Sequence, residues 1–159
     1  MPILEYGYLL TFKQEPPPVI LRNNKSAFEH TYSVKRSIAN LVHTGVVSEI
    51  DIVPTVVSPF SVSVNSSGKE RLILDLRHVE KYLKLTTFKH EGVKEAKVYA
   101  ANKRYAFKGD LRHENHHLDM HVSSQDYLSF SWKTVNKVNY YIFTCLPFGL
   151  SSECYILPK

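Results

Sequence analysis

Residues 58–83 read SPFSVSVNSSGKERLILDLRHVEKYL. Two short runs, 61–64 and 71–76, are rich in strand-forming apolar residues and flank Asn65-Ser66-Ser67-Gly68. Side chains of a strand alternate between its two faces, and a loop containing glycine supplies the backbone freedom a tight reversal needs. The stretch therefore predicts a β-hairpin with Lys69 and Arg71 near its tip. Pro54 and Pro59 precede it and deny a straight continuation from the β-branched run at 46–52, which reads as a separate strand entering a bent connection.

Working upstream, Ser26-Ala27-Phe28-Glu29 has the form of a capping box. Val34, Ile38, Leu41 and Val42 recur at helical spacing, and Gly45 stands where a helix should stop. This predicts a helix over 27–44. Before it, the run Pro16-Pro17-Pro18 and then Asn23-Asn24-Lys25 oppose helix, so residues 1–25 read as an extended arm. Downstream, 78–85 and 91–101 read as weaker helical pieces, and 105–107 as a strand running into Gly109-Asp110. A second hairpin is expected from the aromatic runs at 127–132 and 139–145, separated by polar residues 133–137 and closed by Pro147 and Gly149. A helix could begin at Ser151.

Lys and Arg total 20 against 15 Asp and Glu, giving +5 and a pI near 9.1, which favours a polyanionic partner. No run approaches the roughly 18 apolar residues that span a bilayer, and the first residues lack a basic n-region, so an intracellular protein is expected, in cytoplasm or nucleus. Cys145 and Cys154 form no CxxC pair and read as buried free thiols.

Four stretches taken in order carry a resemblance. They are 58–83, then FKGDLRHENHHLDMHV (107–122), YLSFSW (127–132) and YYIFTCLPFGLSSECYI (140–156). Together they resemble the reverse transcriptase, an RNA-directed DNA polymerase, of LTR-type and tyrosine-recombinase (DIRS-like) retroelements, from about Asn24 onward. The resemblance implies an α+β fold: partial fingers and palm, with an incomplete antiparallel palm sheet and helices. Residues 1–25 are the arm and 26–159 the partial reverse transcriptase domain. It also implies that Arg71, with Lys69 beside it, contacts nucleotide phosphates, that Asp75 and Arg77 match the family's D-L-R, and that Asp110 is the first catalytic and metal-binding carboxylate. Leu146 to Leu150 match the LPFGL turn, which puts Phe148 and Gly149 beside template and primer. Implied partners are an RNA template, a DNA primer, deoxynucleotide triphosphates and, in an intact element, RNase H and recombinase domains.

The chemistry suits these residue types. Transfer to a primer 3′-hydroxyl uses two divalent ions about 4 Å apart, held by carboxylates. Mg²⁺, the implied cofactor, prefers such oxygen ligands. A guanidinium offers a bidentate grip on phosphate. Plainer readings attach to the same residues: Asp110 suits a helix N-cap, Asp75 and Arg77 a structural ion pair, the hairpin tip a solvated loop, and LPFGL a simple turn.

The sequence also departs from the family. The aromatic-x-Asp-Asp motif that completes the metal site does not occur in these 159 residues. Asn115 stands where an aromatic usually packs under the sugar, and Glu153-Cys154 where Ala-Pro is common. The expectation is a truncated fragment, catalytically incomplete by itself, with an unpaired sheet edge, an uncovered apolar face and marginal stability. One alternative is a non-catalytic basic nucleic-acid-binding module. A distant one is a zinc hydrolase, because His113 to His117 fit H-E-x-x-H, though the extended metzincin pattern fails at Met120 and Ser123.

Overall fold

The structure, a computed structural model, describes residues 6–84, 97 and 114–150, without the side chains of Glu114 and Asn115. The expected helix at 91–101, the strand at 105–107, Asp110 and His113, and everything from Ser151 onward fall outside these residues.

The helix expected over 27–44 is present as two pieces, α1 (Lys25–Glu29) and α2 (Thr31–His43), broken at His30 with φ −108° and ψ 40°. The capping box does not form. Asn24 is the N-cap of α1, and Ser26 lies inside the helix, where its hydroxyl accepts the Val62 N–H at 3.0 Å. A hydroxyl committed to a neighbouring strand is lost to its own helix terminus. At the other end Gly45 adopts φ 74°, Val46 N–H reaches the Leu41 carbonyl and Gly45 N–H the Val42 carbonyl. This paired closure is the Schellman motif, and glycine is suited to its left-handed position.

A five-stranded sheet follows the spatial order β1 (Val19–Ile20), β3 (Val56–Ser58), β6 (Ser129–Lys133), β7 (Val138–Phe143), β2 (Val47–Ile50). It is antiparallel across β6, β7 and β2, while β1, β3 and β6 run parallel. The aromatic hairpin has the expected position, with Lys133 opposite Val138 at its closing end. The first hairpin is β4 (Phe60–Val64) paired with β5 (Glu70–Leu74) in a sheet of its own. The short helix α3 (Arg77–Glu80) follows it, and α4 (Val122–Gln125) precedes β6.

The core gathers where hairpin meets sheet. Phe130 lies 4.2 Å from the Phe60 ring centroid, 4.9 Å from Tyr141 in a stacked pair, and 5.8 Å from Phe143. Phe60 and Phe130 are fully enclosed, and Val34 and Ile38 bring α2 into the same cluster. Burying each large side chain contributes about 1.5–3 kcal/mol, so this cluster ties the hairpin down.

Residues 7–13 belong to no helix or named strand, yet they are docked. Tyr8 N–H bonds the Asp119 carbonyl at 2.7 Å and Tyr8 accepts from His121 at 2.9 Å. Leu10 is buried and its N–H reaches the Ser124 hydroxyl at 2.9 Å. Farther on, Val19 and Ile20 form an edge strand beside Val56 and Val57. Among the described residues no helix is long and apolar enough to cross a membrane.

Candidate functional site

The loop of the first hairpin is organised by Asn65. Its side-chain oxygen accepts the N–H groups of Ser67 at 3.1 Å and Lys69 at 2.8 Å, and Gly68 turns with φ 77°. Such local acceptance by asparagine is what makes it a turn residue. Lys69 therefore leaves the turn at a fixed place, and Arg71 sits two residues along β5 opposite Ser63. Both side chains are exposed, and neither forms an ion pair among the described residues.

Alternation divides the two faces of β5. Leu72 and Leu74 turn toward the core, whereas Arg71 and Ile73 face outward. Glu70, on the inner side, meets the His30 ring at 2.6 Å. Hydrogen bonds from the Ser33 side chain and from His30 hold the Glu70 carboxyl below the usual range. The break between α1 and α2 thus becomes a contact with the turn end of the hairpin, where Glu70 pairs with Val64.

At the end of β5, Asp75 and Arg77 form the ion pair that was the plainer reading of D-L-R. The Arg77 Nε lies 2.9 Å from Asp75 Oδ1, and Nη2 bonds the other oxygen. That guanidinium bond keeps the Asp75 carboxyl below its ordinary value, and the arginine is largely in solvent.

The LPFGL turn stands beside this point. Leu146, Pro147 and Leu150 are buried, while Phe148 is 49% exposed. Gly149 adopts φ +102°, and a Cβ there would lie 3.8 Å from the Leu74 carbonyl oxygen. Phe148 meets His116 edge to face at 5.3 Å. His116 belongs to the 3-10 turn Glu114–His117, which also holds Asn115. The structure therefore collects the hairpin base, the LPFGL turn and the segment that follows Asp110. Arg71 lies three residues up the strand from Leu74, about 10 Å away at the usual strand rise.

The H-E-x-x-H reading needs two histidines one turn apart on an α-helix. Residues 114–117 instead form a 3-10 turn, whose tighter winding does not align positions four apart. No group of three or more His, Cys, Asp or Glu among the described residues could hold a metal ion. Cys145 is a buried free thiol, as expected; burial pushes its pKa up.

Asn23 was not among the sequence candidates, yet it braces the site from behind. Its side-chain oxygen accepts Phe60 N–H at 2.8 Å and its amide donates to the Ser131 carbonyl at 2.9 Å, joining hairpin to sheet. In the sequence Asn23 reads only as part of an arm that opposes helix, and its bridging partners lie 37 and 108 residues away.

Solved structures similar to this chain include two of a viral reverse transcriptase. The foamy viral protease-reverse transcriptase in complex with dsDNA superposes with a TM-score of 0.65 at 20% identity, covering 94% of this chain and 28% of that one. The foamy viral protease-reverse transcriptase dRH in complex with dsDNA gives 0.58 at 21% identity, covering 88% and 22%. No family model and no curated protein matches the sequence. The fold is that of a reverse transcriptase, consistent with partial fingers and palm. The chain spans about a quarter of the length of these structural relatives.

Proposed function

We propose that these residues form the fingers and first palm segment of a retroelement reverse transcriptase, of the LTR or tyrosine-recombinase kind, and that they grip nucleic acid and nucleotide rather than complete the chemistry. The observation that carries this reading is the structural likeness over 94% of the chain to a reverse transcriptase solved on double-stranded DNA. The four ordered motifs support it.

In this proposal Lys69 and Arg71 contact phosphates from a hairpin whose turn is fixed by Asn65. Their lack of acidic partners among the described residues leaves both charges available for that contact. Phe148 offers an exposed ring to a base or sugar, and Gly149 allows close approach of a strand. Asn115 takes the place of the sugar-facing aromatic. Asp110 would supply one carboxylate to Mg²⁺, which activates a hydroxyl and steadies a leaving group when two ions are held. The described residues provide no further cluster of ligands, and the sequence contains no Asp-Asp pair.

Binding to a labelled RNA·DNA hybrid should weaken with salt. The double variant Lys69→Ala, Arg71→Ala should flatten the log–log salt slope by about two. Binding that is indifferent to salt and to both substitutions would refute the grip. Primer extension with Mg²⁺ or Mn²⁺ should yield no template-dependent product from the 159-residue chain, and incorporation would refute the catalytic half of the proposal. Binding without extension would equally suit a non-catalytic nucleic-acid module.

A further inference from the structure

Gly7 lies so close to residues 119–121 that a Cβ on it would meet the His121 nitrogen and the Met120 carbonyl carbon at 2.8 Å. Tyr8 bonds the same stretch from both its backbone groups, to Asp119 and to His121, and pairs with Met120 as a parallel bridge. The opposite edge of 118–121 is spent on the chain that becomes the LPFGL turn. Met120 N–H reaches the Thr144 carbonyl and Leu146 N–H the Leu118 carbonyl, each at 2.8 Å, and Asp119 is bridged to Cys145. Three backbones therefore lie side by side: the arm, then 118–121, then 144–146. Two strand spacings of about 4.8 Å separate the first from the last. Phe148 stands two residues beyond Leu146. A second route reaches the same ring, because His116, two residues before Leu118, meets Phe148 edge to face at 5.3 Å. Leu10 is buried and secures the arm through the Ser124 hydroxyl at 2.9 Å.

A layer held between two neighbours shifts when either is withdrawn, and the outer neighbour of 118–121 is the arm. We propose that Gly7, Tyr8 and Leu10 are positioning residues for the LPFGL turn: seated on 119–121, they fix where Phe148 and Gly149 meet a nucleic-acid strand without touching it themselves. The inference rests on the nucleic-acid reading of that turn and adds to it a part that lies outside all four motifs. The hairpin grip is independent of it. Asn65 sets the loop that carries Lys69, whereas the backbone bonds of residues 8–13 go to 82–84 and 119–124.

Binding of a labelled RNA·DNA hybrid by the 159-residue chain separates this role from a general loss of stability. Phe148→Ala should weaken binding about fivefold or more, the low end for losing one stacked ring. Gly7→Ala leaves the ring but misplaces it and should weaken binding about threefold. That loss should disappear in the Phe148→Ala background and persist in full beside Lys69→Ala, Arg71→Ala. Ser124→Ala frees Leu10 without straining the backbone, should act in the same direction, and covers the case of a Gly7→Ala chain that does not fold. Without nucleic acid, amide exchange should accelerate at Leu146 in both variants and stay unchanged at Val62. Faster exchange at Tyr8 with Leu146 and hybrid affinity unaltered would overturn the arm's role and leave the nucleic-acid reading standing. Losses that simply add to that of Phe148→Ala would do the same. A parent chain that binds no hybrid overturns that reading, and the arm's role with it.

Discussion

Between Phe60 and Leu74 five residue pairs face one another in unbroken register, across a turn whose bonds all come from Asn65 and its near neighbours. Between Gly7 and Lys13 nothing is paired locally, and the bonds of Tyr8, Leu10, Thr11 and Lys13 reach residues 82–124. Both segments are extended chain. The first generates its own partner strand, whereas the second completes a surface built by others. A hairpin of two strands is marginal alone in water, so even the first needs its Phe60 anchor. The arm needs far more, because each of its contacts closes a long loop before giving any return.

The severest test of the hairpin is to remove that anchor. Phe60→Ala empties a fully buried site against Phe130 and should cost about 3–5 kcal/mol, read as a shift in the urea midpoint. If the loss stays under about 1 kcal/mol, the hairpin is held chiefly by its own register.

The arm should yield to a smaller change. Gly7 has φ +78°, and a Cβ there would lie 2.8 Å from both His121 N and Met120 C and 2.9 Å from the Asp119 carbonyl oxygen. Left-handed strain and contact with rigid backbone together predict that Gly7→Ala costs about 2–3 kcal/mol. Hydrogen exchange should speed up at Tyr8, Leu10 and His121 and stay slow at Val62 and Leu72. Equal loss of protection in the hairpin would mean that the two segments open as one unit.

That contrast explains what could be read from the residues. The two hairpins, the stop at Gly45 and the reverse transcriptase fold announce themselves because turn chemistry, alternation and ordered motifs are local in the chain. The split of the long helix at His30 was hidden, and the partner that His30 meets at the break, Glu70, is forty residues away. Ser26 misled for the same reason: the donor it accepts from is on β4. Gly7 carries no signal at all without the backbone of 119–121 beside it. At the site, Lys69, Arg71, Phe148 and Gly149 were legible as motif residues, but only the folded chain brings Gly149 to Leu74 and Phe148 to His116. Asp110 is legible as a motif residue alone.

Asn23 joins the hairpin to the five-stranded sheet, and a milder substitution there probes that joint. Asn23→Ala breaks two bonds at a half-buried position, to Phe60 and to Ser131, and should cost about 1–2 kcal/mol. A double-mutant cycle with Phe60→Ala should show coupling, because both substitutions loosen the same joint. Strict additivity would place the hairpin's attachment in the aromatic contact alone.

The smallest effect concerns pH and bears on the hairpin, through Glu70 on β5 and Asp75 just after it. Glu70 and Asp75 both have folded pKa values held below their ordinary 4.5 and 3.8, by Ser33 and His30 in one case and Arg77 in the other. A depressed carboxyl stabilises the fold at pH above its unfolded value, and that contribution is lost as pH falls through the lower folded value. Stability should therefore be insensitive to these groups near neutrality and decline once pH drops below about 4. Glu70→Gln should remove part of that decline while leaving exchange at Tyr8 and Leu10 unaltered. If the acid-side slope of the unfolding free energy is the same in Glu70→Gln as in the parent chain, His30 positions the hairpin by packing and not by charge.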